Sequence, residues 1–166
     1  MNRRTLLAAF TLAALPLPAF AAESPKDIVA MLYRVSAGKS GKYDVESAFF
    51  NAKIRKEYFT KSLAISLDTL DRLSKKKGEP GIDFDPITNS QDPSVNDLKI
   101  VQTDDGEGKS SVIASFQSHN EKARISVKYD FITEDGGWKL ATMSGRAFDE
   151  TWELRALIKA ITEELK

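Results

Sequence analysis

The chain has 166 residues, in which 24 lysines and arginines balance 24 aspartates and glutamates, with one histidine and no cysteine. A balanced charge argues against a nucleic-acid partner, which would require a concentrated basic face. The lack of cysteine excludes disulfides and a lipid-modified cysteine, so packing alone has to stabilise the fold.

The first 21 residues are typical of a cleavable export signal. Arg3-Arg4 precedes an apolar run over 5–15, and residues 19–21 form a small-x-small cleavage site. The run is shorter than the roughly 20 apolar residues that span a bilayer. Cleavage after Ala21 would leave residues 22–166 as a single domain with a charge of about −2. We therefore expect a soluble protein of the bacterial periplasm, exported by the general or the twin-arginine route.

Apolar residues in the first half of the remaining chain recur at helical spacing. The segment 24–27 combines a serine cap, a proline at the first helical position and an acid three residues after the cap, which predicts a helix from about 25 to 37. A second helix is expected to end near residues 58–59, and Thr60 to cap a third helix that ends at Gly78. The three predicted apolar stripes are Ile28, Met31, Leu32 and Val35; Val45, Phe49 and Ala52; and Leu63, Leu67 and Leu70.

From Val95 the pattern changes to an alternation of apolar and polar residues, which indicates strands. The alternation is clearest over residues 125–131, and one buried face of this kind is typical of an antiparallel sheet. Turns at 104–108, at 119–120 and at 135–137 would join four strands into a meander.

A last helix is predicted to follow a cap at Asp149 or Thr151. Its polar face mixes acidic and basic residues, so we expect this helix to pack on the sheet rather than lie on a membrane. Helices followed by a meander define an α+β fold, with N-terminal helices packed on a curved four-strand antiparallel sheet and a C-terminal amphipathic helix. The apolar stripe of the last helix is Leu154, Leu157, Ile158, Ile161 and Leu165.

Four segments carry a resemblance to known proteins: Ser24-Pro25 with Leu32-Tyr33; Tyr58-Phe59; Ile82-Asp83-Phe84-Asp85-Pro86 with Asn89, Gln91 and Asp92; and Gly136-Gly137-Trp138-Lys139-Leu140. Through them, residues 24–146 resemble a family of exported bacterial proteins, the domain of unknown function numbered 3828, which is related to envelope lipoproteins. The order of elements is similar to the cone-shaped fold named for nuclear transport factor two. The resemblance implies this fold and export, and it carries no activity.

The link between the two halves, residues 81–93, is rich in side-chain oxygens. Such a segment can form self-bonded turns, present a polar surface to a ligand or partner, or bind calcium. Its spacing does not follow the calcium-hand pattern, so we predict neither a metal nor a cofactor. The oxygen-bearing side chains are Asp83, Asp85, Asn89, Gln91 and Asp92.

The sequence contains no catalytic signature. His119 is predicted at a hairpin tip, where water would surround it, and no serine lies in a nucleophile-elbow motif. A small isomerase, dehydratase or hydrolase of the cone fold would require a buried carboxylate, Asp83 or Asp85, that faces an open apolar cavity.

We therefore predict a non-catalytic binding module for a small apolar or amphipathic ligand, or for an envelope protein. Two alternatives stay open: the cone-fold enzyme, and an inhibitor or immunity-like protein that acts through an exposed apolar patch. A homodimer is a further possibility. The predicted cavity lining is Tyr33, Phe84, Tyr129 and Trp138, and the predicted rim is Asp83, Asp85, Asn89, Gln91 and Asp92.

Overall fold

The computed structural model describes residues 23–37, 47–91, 94–118, 124–147 and 150–166. Within these ranges four helices and a five-strand antiparallel sheet form an α+β fold, which confirms the predicted class. In chain order the elements are α1 (Pro25–Ala37), α2 (Ala52–Tyr58), α3 (Lys61–Lys77), β1 (Asn96–Gly106), β2 (Lys109–Gln117), β3 (Ile125–Glu134), β4 (Gly137–Ala147), β5 (Glu150–Glu153) and α4 (Leu154–Glu164).

The predicted caps of α1 and α3 are present. The Ser24 hydroxyl accepts a hydrogen bond from the Asp27 amide at 3.2 Å, and the Asp27 carboxylate accepts one from the Ser24 amide at 3.3 Å. Thr60 accepts from the amide of Leu63 at 3.3 Å, and Gly78 ends α3 with a left-handed backbone, φ 70°. These contacts satisfy amides and carbonyls that a helix leaves unpaired at its ends.

The second helix is shorter than the sequence predicts. Phe49 lies in a turn, and α2 begins only at Ala52, because Asn51 caps it by accepting from the amides of Lys53 and Ile54. Val45, the other residue of the predicted stripe, lies outside the described residues. A capping asparagine inside the predicted segment therefore set the helix start.

The sheet follows the order β1-β2-β3-β4-β5, so the four predicted strands form a meander that a fifth strand extends. The prediction of four strands was one short, because β5 has only four residues and lacks an apolar alternation. The predicted cap of the last helix was also wrong for Thr151, which lies in β5, while Asp149 is outside the described residues. Glu153 caps α4 instead, by accepting from the amides of Arg155 and Ala156.

The core lies between the helices and one face of the sheet. β2 and β3 alternate between buried and exposed side chains, as the sequence predicts. In β4 a register shift opposite Asp130 and Phe131 brings both Leu140 and Met143 to the buried face. α1 packs on β1 and β2, α2 packs on β4, and α4 packs on α3. No helix among the described residues is long and apolar enough to cross a bilayer.

Candidate functional site

The two tyrosines predicted to line a cavity lie in the core and contact each other. Tyr33 of α1 and Tyr129 of β3 are 2% and 0% exposed, and their hydroxyl oxygens are 3.1 Å apart. The Tyr129 hydroxyl is also 3.3 Å from the carbonyl oxygen of Ile87, and the Tyr33 ring packs edge-on against Phe116. Burial raises the pKa of both hydroxyls, which therefore stay neutral. The space between α1 and β3 is filled here by the side chains that were expected to frame it.

The aspartates of the link differ in their surroundings. Asp85 is 4% exposed, and its carboxylate accepts from the Ile87 amide at 2.9 Å and from the Thr88 hydroxyl at 3.1 Å. Asp83 is exposed and accepts from the side-chain amide of Gln91 at 3.2 Å. Asp85 thus stabilises a turn. This contact supports the interpretation that the link forms turns held by its own side chains.

Asn89 and Phe84 fix the link to the end of the sheet. Asn89 has a left-handed backbone, φ 53°, accepts from the Trp152 indole N–H at 2.7 Å and donates to the carbonyl of Arg146 at 2.7 Å. The Phe84 ring packs edge-on against Trp152, with centroids 5.4 Å apart. These contacts anchor β5, and neither side chain frames a cavity with the tyrosines.

The structure therefore does not bring the predicted site residues together. Tyr33, Tyr129 and Asp85 belong to the interior, whereas Phe84 and Asn89 lie against Trp152. Trp138 is half-buried at the start of β4, opposite Thr133. Asp92 and the lone His119 are outside the described residues.

Neither described aspartate meets the requirement of the enzyme alternative. Asp83 is exposed, and Asp85 is held by a turn amide and a hydroxyl instead of facing open space. Among the residues that the structure describes, no group of three or more aspartate, glutamate or histidine side chains is placed to hold a metal ion.

Among the described residues, two open grooves lie on the helices, where the sequence analysis did not place a site. A groove of about 420 Å³ runs between α2 and α3, and a second of about 320 Å³ runs between α3 and α4. Ile65 lines both grooves and is 65% exposed. The α2–α3 groove is lined by Ala52, Arg55, Lys56, Phe59, Lys61, Ala64, Ile65 and Asp68.

One sequence signal pointed to this surface. Ile65 falls two residues after Leu63, so it lies about 200° around α3 from the buried stripe. A branched apolar residue in the middle of an otherwise polar helix face has no core to pack against.

Charged side chains border the α2–α3 groove. Lys56, Lys61 and Asp68 line it, and Asp68 lies 4.0 Å from the guanidinium of Arg55. Lys61 is 2.8 Å from Asp135, whose carboxylate raises the pKa of the lysine. The groove therefore combines an apolar floor with a charged border, on which Arg55 and Lys61 are already paired with carboxylates.

Arg55 forms the inner wall of this groove. It is 3% exposed, donates through Nε to the Phe49 carbonyl at 2.6 Å and through Nη1 to Asp71 at 2.6 Å. Its guanidinium carbon lies 5.2 Å from the centre of the Phe49 ring. A buried arginine that is held from two sides makes this wall rigid.

Comparison with known proteins adds no function to this geometry. A scan against protein-family models, a search of curated proteins and a search of solved structures each found no match. The resemblance to the exported family and to the cone fold therefore stays a prediction.

Proposed function

We propose that the protein is a non-catalytic binding module of the bacterial envelope, which binds a protein partner through Ile65 and the α2–α3 groove. The observation that carries this proposal is the position of Ile65. This isoleucine is 65% exposed and stands between two grooves. Tyr33 and Tyr129, in contrast, occupy the interior space that a small ligand would need.

An open groove with an exposed apolar centre suits a protein better than a small molecule. Small-molecule sites enclose most of their ligand, whereas protein partners insert a few apolar anchors into surface grooves. Lys56 at the rim would attract a carboxylate, whereas Lys61 is already paired with Asp135. The expected partner element is thus an amphipathic segment with apolar residues on one side and an acidic residue opposite Lys56.

The compartment and the finer fold belong to the same proposal. The signal-like residues 1–21 support export to the periplasm. Helix α1, packed across β1 and β2, supports a cone-like arrangement related to the exported family numbered 3828. An inhibitor or immunity-like protein would use the same Ile65 surface, because its action also consists of binding a protein.

Paired variants test the proposal. Ile65→Glu places a charge on the proposed surface, and Ile113→Glu makes the same change on the outer face of β2, where Ile113 is 48% exposed. We expect Ile65→Glu to weaken capture of a specific envelope protein at least about thirtyfold, the effect of losing a binding hot spot. Ile113→Glu should leave capture unchanged, and both variants should melt like the parent protein. Equal capture by all three proteins would refute the proposal.

A further inference from the structure

The α3–α4 groove has apolar side chains along its length and positive charge at one end. Ile65 of α3 and Ile158 of α4 line it, and Arg155 lies at the end where α4 begins. Lys159 follows Arg155 by about one helical turn, whereas Glu163 lies about 12 Å from Arg155 along the helix axis. The end of the groove beside Arg155 therefore favours a negatively charged group.

The guanidinium of Arg155 is held in place by neutral acceptors. Its Nε donates to the Ala141 carbonyl in β4 at 2.7 Å. Its Nη2 donates to the hydroxyls of Thr60 at 3.2 Å and Ser62 at 2.9 Å, at the start of α3. Among the described residues the two N–H groups of Nη1 have no acceptor. The guanidinium thus has a fixed position and two donors to spare.

Arg155 also lacks a counter-ion in the part of the chain that the structure describes. Arg55 and Arg124 each have an aspartate carboxylate at 2.6 Å, and no carboxylate forms such a pair with Arg155. Glu153, two residues earlier, directs its carboxylate to the Thr142 hydroxyl and to the first amides of α4.

A ligand in the groove can reach this arginine. Arg155 is half-buried and lines the open groove, and Ser62 beside its Nη2 is exposed. A guanidinium with fixed geometry and free donors binds a carboxylate more strongly than it binds a neutral acceptor.

Ile65 connects the Arg155 end of this groove with the proposed interface. It lines both grooves, so a segment that covers Ile65 has one border over Lys56 of α2 and the other over α4. The positive charge on the α4 border comes from Arg155 and Lys159.

We propose that Arg155 pairs with a carboxylate side chain of the protein partner in the α3–α4 groove. This inference rests on the proposed protein-binding function and adds a second charged contact to it. The partner segment then carries acidic residues on both sides of the apolar residues that cover Ile65, and the two charged borders set its position across the helices.

The chemistry is tested with hexanoate, which carries a carboxylate on a short apolar chain, and with hexanamide as its uncharged counterpart. Amide-proton NMR should show saturable shifts around Arg155 and Ile158 with hexanoate at millimolar concentrations, and at least about threefold weaker binding of hexanamide. Arg155→Gln should abolish this preference, and Arg34→Gln, which removes an exposed arginine from α1, should retain it. No saturable response, or equal binding of the two compounds to the parent protein, overturns the inference.

A second pair of variants leaves the hydrogen bonds of Arg155 in place. Ser66 lines the same groove one turn after Ser62, so Ser66→Asp adds a carboxylate near Arg155, and Ser66→Asn adds the same bulk without charge. Ser66→Asp should bind hexanoate at least about threefold more weakly than Ser66→Asn, while the two melt within a few degrees of each other. Equal hexanoate binding by these variants would contradict the assignment to Arg155.

The captured partner shows where the carboxylate comes from. Ser66→Asp should capture it at least about threefold more weakly than Ser66→Asn, and this difference should shrink at high salt. If hexanoate binds but both variants capture the partner equally, the groove serves a free carboxylic acid and the assignment to a partner side chain is wrong. Loss of capture in Ile65→Glu would still support the proposed function in that case.

Discussion

At the scale of single residues, the tyrosine pair places two hydroxyls in an apolar core. Tyr129→Phe removes the hydroxyl that reaches both Tyr33 and the Ile87 carbonyl, whereas Tyr33→Phe leaves Tyr129 its contact with Ile87. We expect Tyr129→Phe to lower the free energy of unfolding by about 1 kcal/mol, and Tyr33→Phe by less. Urea unfolding of both variants and of the double variant measures this difference. A larger loss in Tyr33→Phe would contradict the assigned contacts.

Glu153 makes the stability depend on pH at the acid end. Partial burial raises the pKa of this carboxyl, but hydrogen bonds from the Thr142 hydroxyl and the amides of Ala156 and Arg155 outweigh burial and lower it overall. Because folding lowers the pKa of Glu153, its carboxylate contributes fully to stability above the unfolded pKa of about 4.3. This contribution to stability is lost as the pH falls through the folded pKa.

Glu153→Gln should therefore lower the free energy of unfolding by about 0.5–1 kcal/mol at pH 7. An uncharged side chain accepts hydrogen bonds from the first amides of α4 less strongly than a carboxylate does. The difference from the parent protein should shrink as the pH falls below the unfolded pKa of about 4.3, and it should disappear once the pH is below the lowered folded pKa. Urea midpoints between pH 3 and pH 7 measure both effects. A difference that stays constant across this range would show that the charge of Glu153 is not involved.

Helix caps could be predicted from the sequence, because the capping residue and its hydrogen-bond partner lie close together in the chain. Ser24 with Asp27, Thr60 and Gly78 could be placed from the sequence because a cap acts within three or four residues. Asn89 could not be, because its role depends on Trp152, which lies 63 residues further along the chain.

At the scale of elements, β5 depends on close packing of Trp152 over Gly145. A β-carbon at Gly145 would lie 2.7 Å from Cζ2 of Trp152, and Asn89 and Phe84 prevent the indole from moving away. Gly145→Ala should therefore lower the free energy of unfolding by about 1–3 kcal/mol.

The matched control is Gly137→Ala, because a β-carbon at Gly137 in the same strand meets nothing within 4 Å. Its stability should stay within about 0.5 kcal/mol of the parent protein. Thermal unfolding, followed by tryptophan fluorescence, compares the two. Equal stability of the two variants would contradict the proposed packing of β5.

The elements themselves were predictable in proportion to their length and regularity. β3 has ten residues and a clean alternation, and α3 has an apolar stripe over its 17 residues, so both were visible in the sequence. The end of α2 at Tyr58 was also predicted, but its start was not, because the Asn51 cap sets it. β5 was not visible, because four residues show no reliable period.

At the scale of the whole molecule, the α+β class followed from the order of the helical and alternating patterns. The candidate site did not follow, because apolar residues that fill a core and those that line a cavity have the same pattern in a sequence. Tyr33 and Tyr129 are correctly placed on the inner face but are packed against each other. The structure adds that Ile65, which the helical spacing places opposite the buried stripe, is exposed beside a groove.

The most direct test is site-specific photocrosslinking from position 65 in intact cells. A photoreactive phenylalanine analogue replaces Ile65 in one protein and Ile113 in a second, so that both probes are exposed and lie on opposite layers of the fold. We predict one discrete crosslinked partner from position 65 and none from position 113. Crosslinks from neither position, or the same pattern from both, would contradict binding through the Ile65 surface.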